Sequence, residues 1–359
     1  MATTTTEMTT RERFRLTFEH KEADRVPLCA GPWHTTVARW RREGLPEGVN
    51  HVDHFGLDHL ATIRADNSPR YPVKVLEETD EYVVKTTRWG CTQRTWKHAA
   101  STPEHIDYTV KDPEKWAEAK ARITPSRDRI DWKNLEENYA GWREKGRWIQ
   151  AGFWFGFDIT HSHFIGTERV LIAMFERPEW CVDMFNHLLD VDIALFDMVW
   201  DAGYEFDCIV WPDDMGYKGT QFFSIDMYRE LLKPVHKRAI EWAHAKGIKA
   251  HLHSCGNINP FVPELVEIGL DALNPLEVKA GMDPIHLKKT YGKDLVFKGG
   301  INAVLWTKPD EIKAEMERVL PVMKEGGGYI FSSDHSIPDA VSFQDYTEIV
   351  ALAKKLGSF

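Results

Sequence analysis

The chain has 359 residues, is 43% hydrophobic and 28% charged, and carries a formal net charge of −10. This balance is typical of a globular protein with a sizeable core. Nucleic acid binding requires a clustered basic surface, which an acidic chain without a basic stripe does not offer. No apolar run approaches the roughly 20 residues of a membrane span, and the polar first residues do not resemble a signal peptide. We therefore expect a cytoplasmic protein, and five scattered cysteines predict no disulfide framework.

Short apolar segments bounded by Gly, Pro, Asn or Asp predict β-strands. These segments are 25–31, 146–154, 206–213, 248–255, 270–277, 295–301 and 328–334. Amphipathic patterns between them predict helices, the clearest at 178–201, 225–246, 260–268 and 309–324. Proline at 178, 260 and 309 suits the first turn of a helix, where its missing N–H costs no hydrogen bond.

The steady alternation of strand and helix predicts a parallel sheet with helices outside it. Seven or eight such units favour a (β/α)8 TIM barrel of α/β class over an open sheet. No Gly-x-Gly-x-x-Gly follows the first predicted strand, which disfavours a dinucleotide-binding fold. The region from about 60 to 140 breaks the alternation and is interpreted as a cap-like N-terminal insertion. We expect one TIM-barrel domain over 11–359, preceded by a disordered tail at 1–10.

The strongest chemical signal is the segment His251-Leu252-His253-Ser254-Cys255 at the end of a predicted strand. Side chains alternate along a strand, so residues 251, 253 and 255 share a face. Active sites of barrels lie at the C-terminal ends of their strands. A histidine and a cysteine two residues apart can both bind one zinc ion, which prefers imidazole and thiolate ligands.

Further ligands are expected from neighbouring strand ends. Candidates are Glu277, the pair Asp334 and His335, and the pair Asp213 and Asp214. Each acidic residue has an alternative interpretation, because Asp at a strand end commonly caps the following helix or holds a turn.

These residues resemble the uroporphyrinogen decarboxylase superfamily and, within it, its zinc-dependent, corrinoid-linked methyltransferases. The resemblance covers nearly the whole chain. It is carried by His-Ser-Cys-Gly-Asn at 253–257, Asn-Pro-Leu-Glu at 274–277, Gly-Gly-Ile-Asn at 299–302 and Ser-Asp-His-Ser-Ile-Pro at 333–338. It implies that His253 and Cys255 bind zinc, that Glu277 is the carboxylate ligand, and that His335 stands where such enzymes have a cysteine.

Two departures from the family pattern matter. The stretch 31–36 lacks the arginines with which true uroporphyrinogen decarboxylases hold their substrate, which disfavours tetrapyrrole decarboxylation. Histidine at 335 leaves zinc with less thiolate donation, so the metal should act as a Lewis acid on an oxygen. The resemblance then implies methyl transfer from an O-methylated substrate, expected to be an aryl methyl ether, to a corrinoid (cobalamin) carried by a separate protein. It also implies a homodimer.

Several other residues near the predicted barrel mouth are candidates for the site. His161 and His163 could donate a proton to the leaving oxygen. The catalytic candidates are Glu277, Asp213 and His161. The candidates for substrate binding are Trp33, His34, Trp154, His163, Trp211, Asp214 and Tyr217, among which the aromatic rings suit a planar substrate.

Three alternative functions remain open. The first is methyl transfer onto a thiol such as coenzyme M, which the histidine at 335 disfavours. The second is a metal-free decarboxylase of the superfamily, disfavoured by the missing arginines and by the His/Cys pair. The third is a barrel that only binds a corrinoid or tetrapyrrole, for which several converging polar groups would be an unexplained cost.

Overall fold

The computed structural model describes residues 7–98 and 101–359. Its strands are β1 (Leu60–Arg64), β2 (Val75–Glu78), β3 (Tyr82–Thr86), β4 (Cys91–Trp96), β5 (Glu104–Tyr108), β6 (Trp148–Gly152), β7 (Cys208–Pro212), β8 (Lys249–His253), β9 (Ala272–Asn274), β10 (Val296–Lys298) and β11 (Tyr329–Ile330). Its helices are α1 (Thr10–Phe18), α2 (His34–Glu43), α3 (His51–Phe55), α4 (Pro113–Arg122), α5 (Trp132–Glu144), α6 (Phe157–Ile159), α7 (Thr167–Glu176), α8 (Pro178–Asp201), α9 (Ile225–Met227), α10 (Lys233–Ala245), α11 (Val262–Glu267), α12 (Pro284–Tyr291), α13 (Pro309–Lys324) and α14 (Phe343–Gly357).

Seven parallel strands form the main sheet in the order β1-β6-β7-β8-β9-β10-β11. The predicted α/β class and parallel pairing are thereby confirmed, and six of the seven predicted strands are present with shorter bounds. The predicted helices at 178–201 and 309–324 match α8 and α13. Because the strands are parallel, their C-terminal ends meet at one edge of the sheet, where the motif residues lie.

The segment predicted as the first strand, 25–31, contains an isolated parallel bridge instead. Leu28 pairs with Phe331, and the backbone N–H of Cys29 donates to the Phe331 carbonyl at 2.9 Å. On its other side, the N–H of Asp58 donates to the Leu28 carbonyl at 2.9 Å. Proline at 27 and 32 removes two of the backbone donors that a ladder would need, which keeps the segment from forming a longer strand.

The strand β1 was not predicted, because it lies inside the region interpreted as an insertion. Ala61 and Ile63 are buried towards the helices, whereas Thr62 and Arg64 line a cavity on the other face of the sheet. Inward-facing positions of barrel strands are usually apolar. In β1 they are polar, so the sequence pattern does not indicate a strand of the main sheet. The chain therefore enters the main sheet at 60 and leaves it after 64.

A second, antiparallel sheet of four strands, β2-β3-β4-β5, lies between β1 and β6 in the chain. Within this sheet, β3 and β4 pair as an antiparallel hairpin. This sheet packs against the segment that follows β6: the rings of Trp89 and Trp154 are 5.8 Å apart, and those of His105 and His163 are 5.2 Å apart.

The N-terminal helix begins in a capping box. The hydroxyl of Thr9 accepts from the Glu12 N–H, and the Glu12 carboxylate accepts from the Thr9 N–H. The prediction of a disordered tail through residue 10 is therefore wrong for Thr9 and Thr10, and residues 1–6 lie outside the described part of the chain. Helix α1 is tied to the sheet by the buried carboxylate of Asp58, which accepts from the guanidinium groups of Arg13 and Arg25.

The helices α8 and α10 cover the back of the sheet near the site. Phe153, just after β6, stacks on Phe196 of α8 at 4.7 Å and meets Trp242 of α10 at 5.4 Å. Burial of each such ring stabilises the fold by about 1.5–3 kcal/mol. None of the helices in residues 7–98 and 101–359 combines the length and apolar character that a bilayer crossing demands.

Candidate functional site

Strand β8 places His251 and His253 on the inner face of the sheet, while Leu252 is fully buried towards the helices. Cys255 follows in the loop, and the next residue, Gly256, has φ +82°. A Cβ there would lie 2.1 Å from the carbonyl carbon of Gly216, so glycine is required for the two loops to pack. This close packing brings the loop after β7, with Asp214, beside Cys255.

Three potential metal ligands converge at this point: Asp214, His253 and Cys255. The Cys255 Sγ lies 3.3 Å from the His253 Nε2, which lies 3.7 Å from the Asp214 Oδ1. Their ligand atoms are all within 4.8 Å of one another. The Asp214 Oδ1 also accepts from the Cys255 N–H at 2.7 Å, which fixes the carboxylate relative to the thiol.

Two of these spacings are close to those between ligand atoms around one zinc ion. Tetrahedral zinc with bonds of about 2.0–2.3 Å places neighbouring ligand atoms about 3.3–3.6 Å apart. The Asn274 side-chain nitrogen, Nδ2, lies 2.8 Å from the His253 Nδ1. With its oxygen turned to accept Nδ1–H, the amide would leave the Nε2 lone pair free for a metal. Imidazole, thiolate and carboxylate together form a donor set that zinc commonly takes.

Burial and neighbouring charges shift the pKa values of all three groups. Burial and the charge of Lys298 lower the pKa of His253 to about 4, so the imidazole is neutral. Burial, then the carboxylates of Asp214 and Glu277, raise the pKa of the Cys255 thiol. Burial and the charge of Asp158 raise the pKa of Asp214 to about 7. A cation among these groups would favour their deprotonated, ligating forms.

Glu277, predicted as a ligand and catalytic group, lies next to the three ligands but has other partners. Its Oε2 accepts from the Gly256 N–H at 2.6 Å, and its Oε1 is 3.2 Å from the Lys279 Nζ. The side chain therefore holds the turn that follows Cys255 in place.

His335, predicted as the third ligand, is exposed and lies outside the three-residue group. It nevertheless lines the same cavity of about 420 Å³ as Asp214, His253 and Cys255. Its ring centroid is 6.4 Å from that of Trp33, which lines this cavity too.

The preceding residue, Asp334, is fully buried and serves a structural role. Its carboxylate accepts from the N–H groups of Ala303 and Val278, at 2.7 and 2.8 Å. These bonds join the loops that follow β9, β10 and β11, so Asp334 fixes the turn on which His335 stands.

Asp213, a predicted catalytic residue, is buried away from the cavity. Its carboxylate accepts from the His236 Nε2 and from the Asp158 N–H, both at 2.7 Å. Gly156 has φ +92°, and a Cβ there would lie 2.2 Å from an Asp213 oxygen. Asp213 therefore positions the turn that carries Asp158.

Asp158 is the functional candidate that sequence reasoning missed. Although burial opposes it, hydrogen bonds from His161 and Trp154 keep the pKa of Asp158 below its usual value. The Trp154 Nε1 donates to it at 2.9 Å, and the His161 Nε2 lies 3.5 Å away. Asp158 lies six residues beyond the end of β6, without a spacing motif that could have marked it.

His161 and His163, predicted as proton donors, lie behind this carboxylate. His161 stacks on Phe157 at 4.7 Å, and its Nδ1 is 3.1 Å from the Thr167 hydroxyl. His163 packs edge-on against Trp154 at 4.9 Å. Neither residue lines the cavities at the strand ends, so both contribute to the support of Asp158 and Trp154.

The remaining substrate-binding candidates have different environments. Trp154 lines a cavity at the strand ends, but Trp211 is fully buried and stacks on Phe155 at 5.6 Å. Its neighbours on β7 face the cavity instead, as alternation requires. Tyr217 is 48% exposed in the loop after β7, and His34 begins α2.

Below the loops lies a second cavity, of about 550 Å³, which shares His253, Asn274 and Lys298 with the first. Its lining residues are Thr62, Arg64, Ala65, Asn67, Gln150, Gly152, Phe153, Trp154, Val210, Pro212, His251, His253, Asn274 and Lys298. Both volumes are in the range of small-molecule sites.

The wall of this cavity depends on a buried carboxyl whose protonation predicts a pH effect. The Asp192 Oδ2 accepts from the Trp154 N–H at 2.8 Å, and burial raises the pKa of Asp192 to about 8. An aspartate in the unfolded chain titrates near about 3.9. The stabilisation from the retained proton is therefore full below about pH 4 and is lost as the pH rises towards 8.

Asp192→Asn keeps an acceptor for Trp154 without a titrating group. We expect its melting temperature, relative to wild type, to rise steadily from pH 5 to pH 8 in thermal unfolding. Asp190→Asn is the control, since Asp190 lies on the same helix in a surface ion pair with Arg238. A pH-independent difference for Asp192→Asn would show that this carboxyl is ionised in the fold.

Comparison with known proteins gives a family match and a structural match. Residues 154–356 match the family described as uroporphyrinogen decarboxylase (URO-D). Among solved structures, a methyltransferase from Methanosarcina mazei is 19% identical with a TM-score of 0.66, covering 97% of this chain and 99% of that one. A 3-keto-D-glucoside 4-epimerase from E. coli is 14% identical with a TM-score of 0.36, covering 62% and 85%.

A comparison with curated proteins finds no match. The family match spans more than half of the chain and contains β7 to β11 with the potential metal ligands Asp214, His253 and Cys255. The chain belongs to the uroporphyrinogen decarboxylase family.

Proposed function

We propose that this protein is a zinc-dependent methyltransferase, which moves a methyl group from an aryl methyl ether to a Co(I) corrinoid carried by a separate protein. The observation that carries the proposal is the convergence of Asp214, His253 and Cys255, with zinc-like spacing, at the C-terminal ends of parallel strands. The fold likeness to a protein titled a methyltransferase is in keeping with it.

Asp214, His253 and Cys255 would hold the zinc ion, with His335 near enough in the same cavity to join them by a loop movement. When bound, zinc would supply a Lewis acid for the ether oxygen, which gains negative charge as the methyl group leaves. The ligand set contains one thiolate, and this favours an oxygen substrate over a thiol.

The surrounding residues prepare the site for this reaction. Asn274 orients the His253 ring, and Glu277 holds the turn after Cys255. Asp158 places a second carboxylate near Asp214, and this added negative charge favours a bound cation. The released phenolate then takes up its proton from the solvent.

We further propose that the main sheet closes into a TIM barrel through the Leu28 bridge, within one domain over 11–359. The four-stranded sheet would then be the cap of its mouth. The contact of Trp89 with Trp154, a residue that lines the larger cavity, supports this arrangement. A cap excludes water, which strengthens the electrostatic effect of the groups inside.

The direct test is methyl transfer with the purified, zinc-loaded chain. Anoxic mixtures of the protein, cob(I)alamin and 4-methoxybenzoate should lose the cob(I)alamin absorbance, form methylcob(III)alamin and release 4-hydroxybenzoate. Protein with its zinc removed by a chelator is the matched control. Transfer from methylcobalamin to a thiol, with no reaction of any methoxyarene, would replace this proposal with the thiol alternative.

A further inference from the structure

The larger cavity is positively charged although the protein as a whole is acidic. Arg64 and Lys298 line it, and no Asp or Glu is found among its lining residues in the described part of the chain. The chain as a whole carries a net charge of −10, whereas this lining has two cations and no carboxylate. The local charge is therefore opposite in sign to that of the whole protein. A bound anion would neutralise these charges.

Neither cation has a partner within the described chain, although Arg64 is exposed to solvent and only Lys298 is half-buried. Among residues 7–98 and 101–359, the side chains of Lys298 and Arg64 form no hydrogen bond and no ion pair. Most basic groups near the sheet do have acidic partners; Lys249, for example, pairs with Asp271 at 2.8 Å. Lys298 is half-buried at the end of β10, where an ammonium without a partner is costly.

A third unpartnered donor or acceptor faces the same cavity. The Nε2 of His251 is buried and has no hydrogen-bond partner in the described structure, and the residue is 5% exposed. Buried polar atoms of this kind are rarely left unpaired. His251 lies two residues before His253 on β8 and lines the larger cavity.

The rest of the lining combines polar side chains with an apolar part. Trp154, Val210 and Pro212 provide the apolar part, with the Trp154 indole the only aromatic ring among them. Such a surface suits the body of a planar, apolar ligand. An inorganic anion would leave this surface uncovered, whereas an aromatic acid would occupy both parts of the cavity.

We propose that this cavity binds an aromatic carboxylate, whose carboxylate group is held by Lys298 and Arg64 and whose ring lies on the apolar wall. His253 and Lys298 line both cavities, so a ring held here reaches towards the three metal-ligand residues. The assignment of this ligand as the methyl donor rests on the proposed function. Binding of the acid does not.

The test is calorimetric binding to the full chain without cobalamin, with 4-methoxybenzoate, benzoate, methoxybenzene and inorganic phosphate as probes. We expect both acids to bind, methoxybenzene and phosphate to bind at least about tenfold more weakly, and affinity for the acids to fall with added salt. Lys298→Met should weaken the acids about 10–100-fold, as expected for loss of a charged hydrogen bond. Lys298→Arg should retain most of the affinity, which separates charge from folding.

Lys293→Met is the matched control, since Lys293 is exposed just before the same strand. Equal affinity of wild type and Lys298→Met for 4-methoxybenzoate would overturn the proposal, as would methoxybenzene or phosphate binding as tightly as the acids. Acid binding without methyl transfer would leave this inference standing and remove the proposed function. Demethylation of methoxybenzene as efficiently as of the acid would support the proposed function and contradict this inference.

Discussion

Replacing Cys255 with alanine is expected to lower the zinc content of the purified protein from about one ion per chain to near zero. The Cys255 Sγ is 3.3 Å from the His253 Nε2, and it is the only thiol in the group of three potential ligands in the described chain. Thiolate–zinc bonds contribute much of the affinity of such sites, and structural data on zinc proteins place cysteine among its preferred ligands. Elemental analysis of protein purified with zinc in the buffer measures this directly.

Cys29→Ala is the control for this change. Cys29 lines the same cavity of about 420 Å³ but is not one of the converging ligands, and burial raises the pKa of its thiol to about 11. Its removal should leave zinc unchanged. Equal zinc content in wild type and in a folded Cys255→Ala variant would show that Cys255 does not bind the metal. The proposed zinc chemistry at this site would then be wrong.

The part of the site that lies on one strand could be predicted from the sequence. The alternation of β8 is a local property, so His251-Leu252-His253 reveals which side chains face inwards without knowledge of the fold. The same reasoning could not identify β1, because its inner positions are Thr62 and Arg64 and its apolar residues face the helices.

The position of Asp214 beside Cys255 depends on contacts between loops, which sequence patterns do not record. Asp213 and Asp214 are adjacent and chemically identical, yet one is buried against His236 and the other faces Cys255. The difference arises from the packing of Gly256 on Gly216, which sets the course of the loop after β7. Asp158 depends on the fold in the same way, since it reaches Asp214 only through the turn held by Asp213.

Asp214→Ala, Glu277→Gln and His335→Ala are expected to affect zinc affinity very differently. Asp214 supplies a ligand atom, so its loss should weaken binding by more than about 100-fold, beyond the roughly 10–100-fold cost of losing a group that only orients a ligand. Glu277→Gln keeps an oxygen to accept the Gly256 N–H and should cost less than about tenfold. Competition with a chromophoric chelator measures all three.

His335→Ala distinguishes the ligand set of the structure, Asp214, His253 and Cys255, from the set with His335 that the family resemblance implies. In the structure this side chain is exposed and outside the group of three, which predicts little change in zinc affinity on its removal. The family resemblance instead predicts a loss as large as that of Cys255→Ala, because His335 stands at a ligand position. A large loss would mean that the turn fixed by Asp334 moves on metal binding and carries His335 into the site. Asp214 would then be free of the metal, and its carboxyl, whose pKa is raised to about 7, could supply the proton that the leaving oxygen takes up.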